Sequence, residues 1–155
     1  MTTDKKELAV AALRNGTVID HIPSSSLFKA VRLLGIEKLD RHVTIGNNLE
    51  SHRYGTKGII KVADTEFADA DLNRIALIAP RAKVNIIRDY EVVEKRSIEL
   101  PETVVGIVRC ANPKCITNNE PMATRFHVID RSDVDNVTIR CHYCGQVVKS
   151  SEASL

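Results

Sequence analysis

Apolar and polar positions change period several times along the chain, and each change marks a predicted element. Residues 8–13 and 17–22 are apolar runs flanking Arg14-Asn15-Gly16. An Asn-Gly step between such runs predicts a β-hairpin, although the alanines of the first run would also suit a helix. Pro23 closes the second run. Ser24, Ser25 or Ser26 can then cap a helix whose apolar positions Leu27, Ala30, Val31 and Leu34 follow 3.6-residue spacing, and Gly35 ends it. Residues 41–47 alternate through Val43 and Ile45, residues 58–62 are a short β-branched run, and residues 69–79 repeat Leu72, Ile75, Ala76 and Ala79 at helical spacing. Pro80 stops that helix, and residues 83–93 are β-branched enough to predict a strand. From Thr17 the order is βαββαβ, a ferredoxin-like arrangement to which the first hairpin arm can add a fifth strand.

The character of the chain changes beyond residues 97–103, which carry Pro101 and charges. Residues 104–108, 125–129, 137–140 and 146–149 read as short strands separated by Asn, Pro, Gly and Asp, with no helix among them. The expected fold class is therefore α+β: a ferredoxin-like domain over residues 1–100, an antiparallel sheet with two helices, followed by a small all-β domain over residues 101–155. The second domain has too little apolar mass to fold unaided, and a covalent or metal staple is expected.

All four cysteines lie in that part. The longest apolar runs, such as residues 75–79, are far shorter than the ~20 residues that cross a bilayer, and the first eight residues are polar, so a cytoplasmic location is expected. A reducing cytosol directs attention to metal ligation or redox chemistry rather than to disulfides. Cys110 and Cys115 are four residues apart with Asn112-Pro113 between them, and Cys141 and Cys144 are two apart with Gly145 following. Two such knuckles make a tetrahedral thiolate site suited to one Zn²⁺, and four protein ligands leave no position for a reacting water. Iron–sulfur ligation, a redox Cys-x-x-Cys and replacement of one ligand by His127 or His142 are the other readings.

Charge adds a constraint. Lys and Arg number 16 against 14 Asp and Glu in residues 1–100, and six against six in the rest. A four-thiolate zinc site adds about −2, which makes the C-terminal part unsuited to a phosphate backbone. No motif for a nucleophile elbow, a Walker loop or a catalytic zinc is present. Gly55-Thr56-Lys57-Gly58 reads as a glycine-flanked turn. Asp20-His21 is either an acid–base pair at a strand end or simply a polar strand terminus, and Lys61 and Lys95 are either phosphate contacts or solvated lysines.

Taken together, the run Arg14 to Pro23, the segments Ala79-Pro80 through Asn85 and Asp89-Tyr90-Glu91-Val92-Val93, and the two cysteine pairs resemble the regulatory chain of aspartate carbamoyltransferase over about residues 8–148. The resemblance implies a non-catalytic subunit of an enzyme of pyrimidine biosynthesis. Its N-terminal domain would bind CTP as feedback inhibitor and ATP as activator, with UTP as a further candidate effector. Its zinc domain would dock on catalytic chains, two trimers being bridged by three regulatory dimers. Matched position by position, Asp20 becomes the ribose contact, His21 the histidine near the phosphates, and Lys61 and Lys95 the nucleotide-binding lysines. Leu13 and Tyr90 would read the base edge through backbone groups, with Val10, Ala12, Val18, Asn85, Ile87 and Val92 lining the pocket. Ala11 replaces a glutamate of the familiar form, and Arg96-Ser97 reverses a serine–arginine order.

The competing class is a zinc-ribbon and ferredoxin-like nucleic-acid module. Such platforms stack bases on strand aromatics, whereas this chain has no Trp, three Tyr and three Phe. Neither nucleic acid nor membrane is an expected partner.

Overall fold

The computed structural model describes residues 12–52 and 55–155. Two antiparallel sheets organise it. The first has five strands in the order β2-β3-β1-β4-β5, formed by β1 (Gly16–Pro23), β2 (Val43–Ser51), β3 (Gly55–Ala63), β4 (Lys83–Arg88) and β5 (Glu91–Ser97). The second, β6-β7-β8-β9, is built from β6 (Thr103–Val105), β7 (Arg125–Asp130), β8 (Thr138–Cys141) and β9 (Val147–Lys149). Helix α1 (Leu27–Leu33) follows β1, and the short α2 (Asp69–Leu72) follows β3. The α+β class is present, and the elements from β1 follow the expected succession βαββαβ with one further strand after it.

Alternation decides which face of the first sheet is buried. Ile19 and Ile22 of β1, Ile60 and Val62 of β3, and Val84 and Ile86 of β4 form one cluster with Leu27, Ala30 and Val31 of α1 and Leu72, Ile75 and Ala76 around α2. The helices therefore cover one face only. Gly58 sits under α1, where a Cβ would lie 2.7 Å from Leu27 Cδ1 and 3.1 Å from Leu27 Cβ, so a larger residue would push the Leu27 side chain aside.

Three local features differ from expectation. The predicted strand over residues 83–93 is a hairpin, because Asp89 and Tyr90 both take left-handed backbone angles (φ 51° and 67°) and turn the chain. Asp and Tyr give a weaker turn signal than glycine, so the β-branched run around them hid the turn. The second arm, β5, is the fifth strand. The arm expected over residues 8–13 falls largely outside the described residues, and Ala12 and Leu13 join no strand. The helix expected over residues 69–79 is α2 followed by a 3₁₀ turn at Asn73–Ile75, and Ser24–Ser26 form a 3₁₀ turn with no serine side chain capping α1. Gly55 to Gly58 belongs to β3 rather than to a turn.

A second cluster packs Phe126 and Ile139 of the small sheet with Val104, Ile107, Val108, Val137 and three of the cysteines. Leu77 is buried in it as well, and Leu33 and Leu100 pack against both clusters. Arg81 reaches Asp135 with a 3.1 Å ion pair, and Arg131 donates to the Leu100 carbonyl at 2.7 Å. No helix of the described residues is long and apolar enough to cross a membrane.

Candidate metal centre and nucleotide face

The four cysteine sulfurs converge. All lie within 4.8 Å of one another, with Cys110 and Cys144 3.5 Å apart and Cys115 and Cys141 3.7 Å apart. A tetrahedral site with Zn–S bonds of about 2.3 Å requires sulfurs about 3.8 Å apart, so the cluster fits a thiolate-bound ion of that size. Short turns hold each pair in place. Asn112 accepts the Lys114 and Cys115 amide hydrogens through its side chain and carbonyl respectively, and the Asn118 side-chain amide donates to the Cys110 and Asn112 carbonyls at 2.9 and 2.8 Å. In the second knuckle the Gly145 N–H donates to the Cys141 carbonyl, with Gly145 at φ 80°. The site is thus braced by backbone and amide hydrogen bonds, as metal ligands require.

Electrostatics within the cluster are uneven. Burial pushes the Cys110 thiol up to about 12. At Cys144 burial acts the same way but is outweighed by hydrogen bonds from the Gln146 backbone, Asn112 and the neighbouring sulfurs, which bring it down to about 7. The Thr117 hydroxyl, 3.1 Å from the Cys115 sulfur, lowers that thiol too. Four cysteines this close can all ionise only around a cation. His127 and His142 stay outside the cluster and meet each other, Nε2 to Nδ1, at 2.9 Å. His142 points outward from its knuckle.

On the first sheet the helix-free face carries the other predicted residues. β-Pairing aligns Thr44, Lys61, Val18, Asn85 and Lys95 in one row across all five strands. Residues directly opposite one another share a face, so Lys61, Val18, Asn85 and Lys95 stand side by side. The next row toward the Asp89-Tyr90 turn holds Gly16, Ile87 and Val92, and the row in the other direction holds Asp20, Lys83 and Ser97. Val18 and Ile87 are buried yet belong to neither core cluster, as expected for the opposite face.

The two ends of these rows are fixed by local devices. At one end the Tyr90 N–H donates to the Arg14 carbonyl at 2.9 Å, and the Asp89 N–H donates to the Asn15 side chain at 3.1 Å. Leu13 immediately precedes this contact in the chain. The Tyr90 amide hydrogen is thus used within the fold. At the other end β1 bulges between Ile19 and Ile22, and His21 adopts φ 62°. The extra residue returns Ile22 to the core and sets Asp20 and His21 together at the bend, so strict alternation does not separate them. Val10 lies outside the described residues, and Ala12 is exposed.

Two lysines escaped the sequence reading. Lys57 lies on the same side of β3 as Lys61, and its ammonium is 2.9 Å from the Asp20 carboxylate, both side chains about one-fifth exposed. Lys83 occupies the Asp20 row. Arg96, in contrast, faces the helix side, where its bond to Glu94 holds that carboxyl below its ordinary value. It also donates to the Phe67 carbonyl and lies near Glu66 and Asp69. A depression of about 710 Å³ there is lined by Glu66, Asp69, Glu94 and Glu99 around Arg96, the wrong sign for a polyphosphate.

Comparison with known proteins finds a match for both halves of the chain. Residues 8–99 match the family described as aspartate carbamoyltransferase regulatory chain, allosteric domain, and residues 102–154 match the metal binding domain of the same chain. The chain is 57% identical over 155 residues to the aspartate carbamoyltransferase regulatory chain of Bacteroides thetaiotaomicron, covering 100% of this chain and 99% of that one. It is 61% identical over 140 residues to that of Porphyromonas gingivalis, covering 90% and 91%. To that of Pyrococcus horikoshii it is 44% identical over 148 residues, covering 94% and 95%. With both family models matched and near end-to-end likeness to relatives named as regulatory rather than catalytic chains, this chain belongs to the aspartate carbamoyltransferase regulatory chain family.

Proposed function

We propose that the chain is the non-catalytic regulatory subunit of a cytoplasmic aspartate carbamoyltransferase, binding CTP and ATP, and UTP as a further effector, on the open face of its first sheet. The observation that carries this reading is the row Lys61–Val18–Asn85–Lys95. Two cations flank an apolar residue and an amide, the mixture needed for a ligand with a flat base, a sugar and phosphates. Asp20 would accept a ribose hydroxyl and His21 would approach the phosphates. Leu13 and Tyr90 would meet the base edge, with Ile87 and Val92 beneath it. Residues 1–100 would form this allosteric domain, and residues 101–155 the metal domain.

The ion is zinc in this reading, held by Cys110, Cys115, Cys141 and Cys144. Sulfur-only ligation with two short knuckles supports a closed structural site, and the zinc holds the fold without entering the reaction. The small sheet exposes Val105, Ile129 and Val147, with Ile116 and Tyr143 on the knuckles. These apolar side chains support docking on catalytic chains, with dimers of this chain bridging two catalytic trimers and the carbamoyl transfer done entirely by the trimers.

The test is to mix the purified chain with catalytic trimers and measure the mass of the product. A complex of two trimers and three regulatory dimers is expected, while the chain alone turns over no carbamoyl phosphate. Absence of any complex, or turnover by a preparation free of catalytic chain, would overturn the reading.

A further inference from the structure

We infer that Lys83 is a polyphosphate contact that extends the nucleotide face and lets it distinguish triphosphates from monophosphates. The inference rests on the nucleotide reading above and adds to it a residue that neither spacing nor the predicted site included.

Lys83 opposes Asp20 on β1 and Ser97 on β5, so its side chain projects from the same face as Lys61, Asn85 and Lys95. It is exposed, and among the described residues no carboxylate pairs with Lys83 or Lys95. Successive rows are two residues apart, about 6.6 Å along a strand. From the Leu13–Tyr90 end they run in order through Ile87 and Val92, then Lys61, Asn85 and Lys95, then Asp20 and Lys83. A ligand whose base lies at the Tyr90 turn and whose ribose reaches Asp20 would carry its outer phosphates sideways along that row, toward Lys83 on the neighbouring strand. Lys57 is held by Asp20 there, which neutralises one cation and leaves Lys83 as the charge that row offers. A solvated strand lysine with no ligand role would have no reason to respond to phosphate number.

Titration calorimetry of the full chain separates these possibilities, with CTP and CMP as probes on wild type, Lys83→Met and Lys83→Arg. Methionine keeps the stem and removes the charge, and an exposed position tolerates it. The expected result is a loss of CTP affinity of about three- to tenfold in Lys83→Met, little change for CMP, recovery in Lys83→Arg, and a smaller loss in 0.5 M salt, where screening shortens to about 4 Å. Unchanged CTP affinity in Lys83→Met, or equal losses for CTP and CMP, would remove Lys83 from the site while leaving the nucleotide reading intact. If wild type binds neither nucleotide, the nucleotide reading itself falls, and this inference with it.

Discussion

Lys61 and Lys95 stand in the same row of the first sheet, three strand spacings apart, with only Val18 and Asn85 between them. At about 4.8 Å per strand their Cα atoms are roughly 14 Å apart, a gap that two long side chains can close around one ligand but not around each other. Lys95→Ala is expected to weaken CTP and ATP together by about tenfold, since each loses a charge-assisted bond in a partly solvated site. Calorimetric titration with both nucleotides measures it. Equal affinity in wild type and variant would exclude Lys95.

Asp20 does two jobs in the bulge. Its carboxylate takes the Lys57 ammonium at 2.9 Å and the His21 N–H at 2.6 Å. Asp20→Ala should therefore leave Lys57 as an extra cation on this face, which would partly offset loss of the ribose contact proposed for Asp20. The stability effects of Asp20→Ala and Lys57→Met should be non-additive, with a coupling of about 1 kcal/mol for this largely covered pair. A double-mutant cycle by urea denaturation checks it, and strict additivity would dissociate the pair.

Gly16 is required by its backbone. It has φ 142°, and a Cβ there would lie 2.1 Å from the Val62 carbonyl oxygen. Because β1 is the central strand, Gly16→Ala should destabilise the first sheet by at least about 2 kcal/mol. Thermal melts of the two proteins compare this directly, and a shift within error would show that the strand can move aside.

The elements that were legible are those with a local cause. Two cysteine knuckles with Asn-Pro and Gly beside them announce a metal site because turn and ligand are encoded in the same few residues. The row of Lys61, Asn85 and Lys95 was not legible, since it depends on register between strands distant in sequence. The Asp20-His21 bulge is set by how Ile19 and Ile22 must both reach the core, a tertiary demand with no local mark. Lys57 was hidden because two flanking glycines imitated a turn. In the structure Gly58 lies within β3 and packs directly against the Leu27 side chain.

The four-cysteine centre, read as a zinc site, divides the chain most sharply. Structural zinc contributes roughly 10–16 kcal/mol of apparent binding energy, more than the stability of a small domain, and three of the four cysteines are buried in the second cluster. Removing the metal should unfold the small sheet, while the first sheet keeps its own core. The deciding measurement follows assembly with catalytic trimers by gel filtration and CTP binding by titration on one zinc-depleted sample, with zinc restored as control. Assembly is expected to disappear and return with zinc, while CTP binding persists within about a few-fold of its original strength. Normal assembly by the zinc-free chain would contradict the account, because the metal domain would then not be the docking surface.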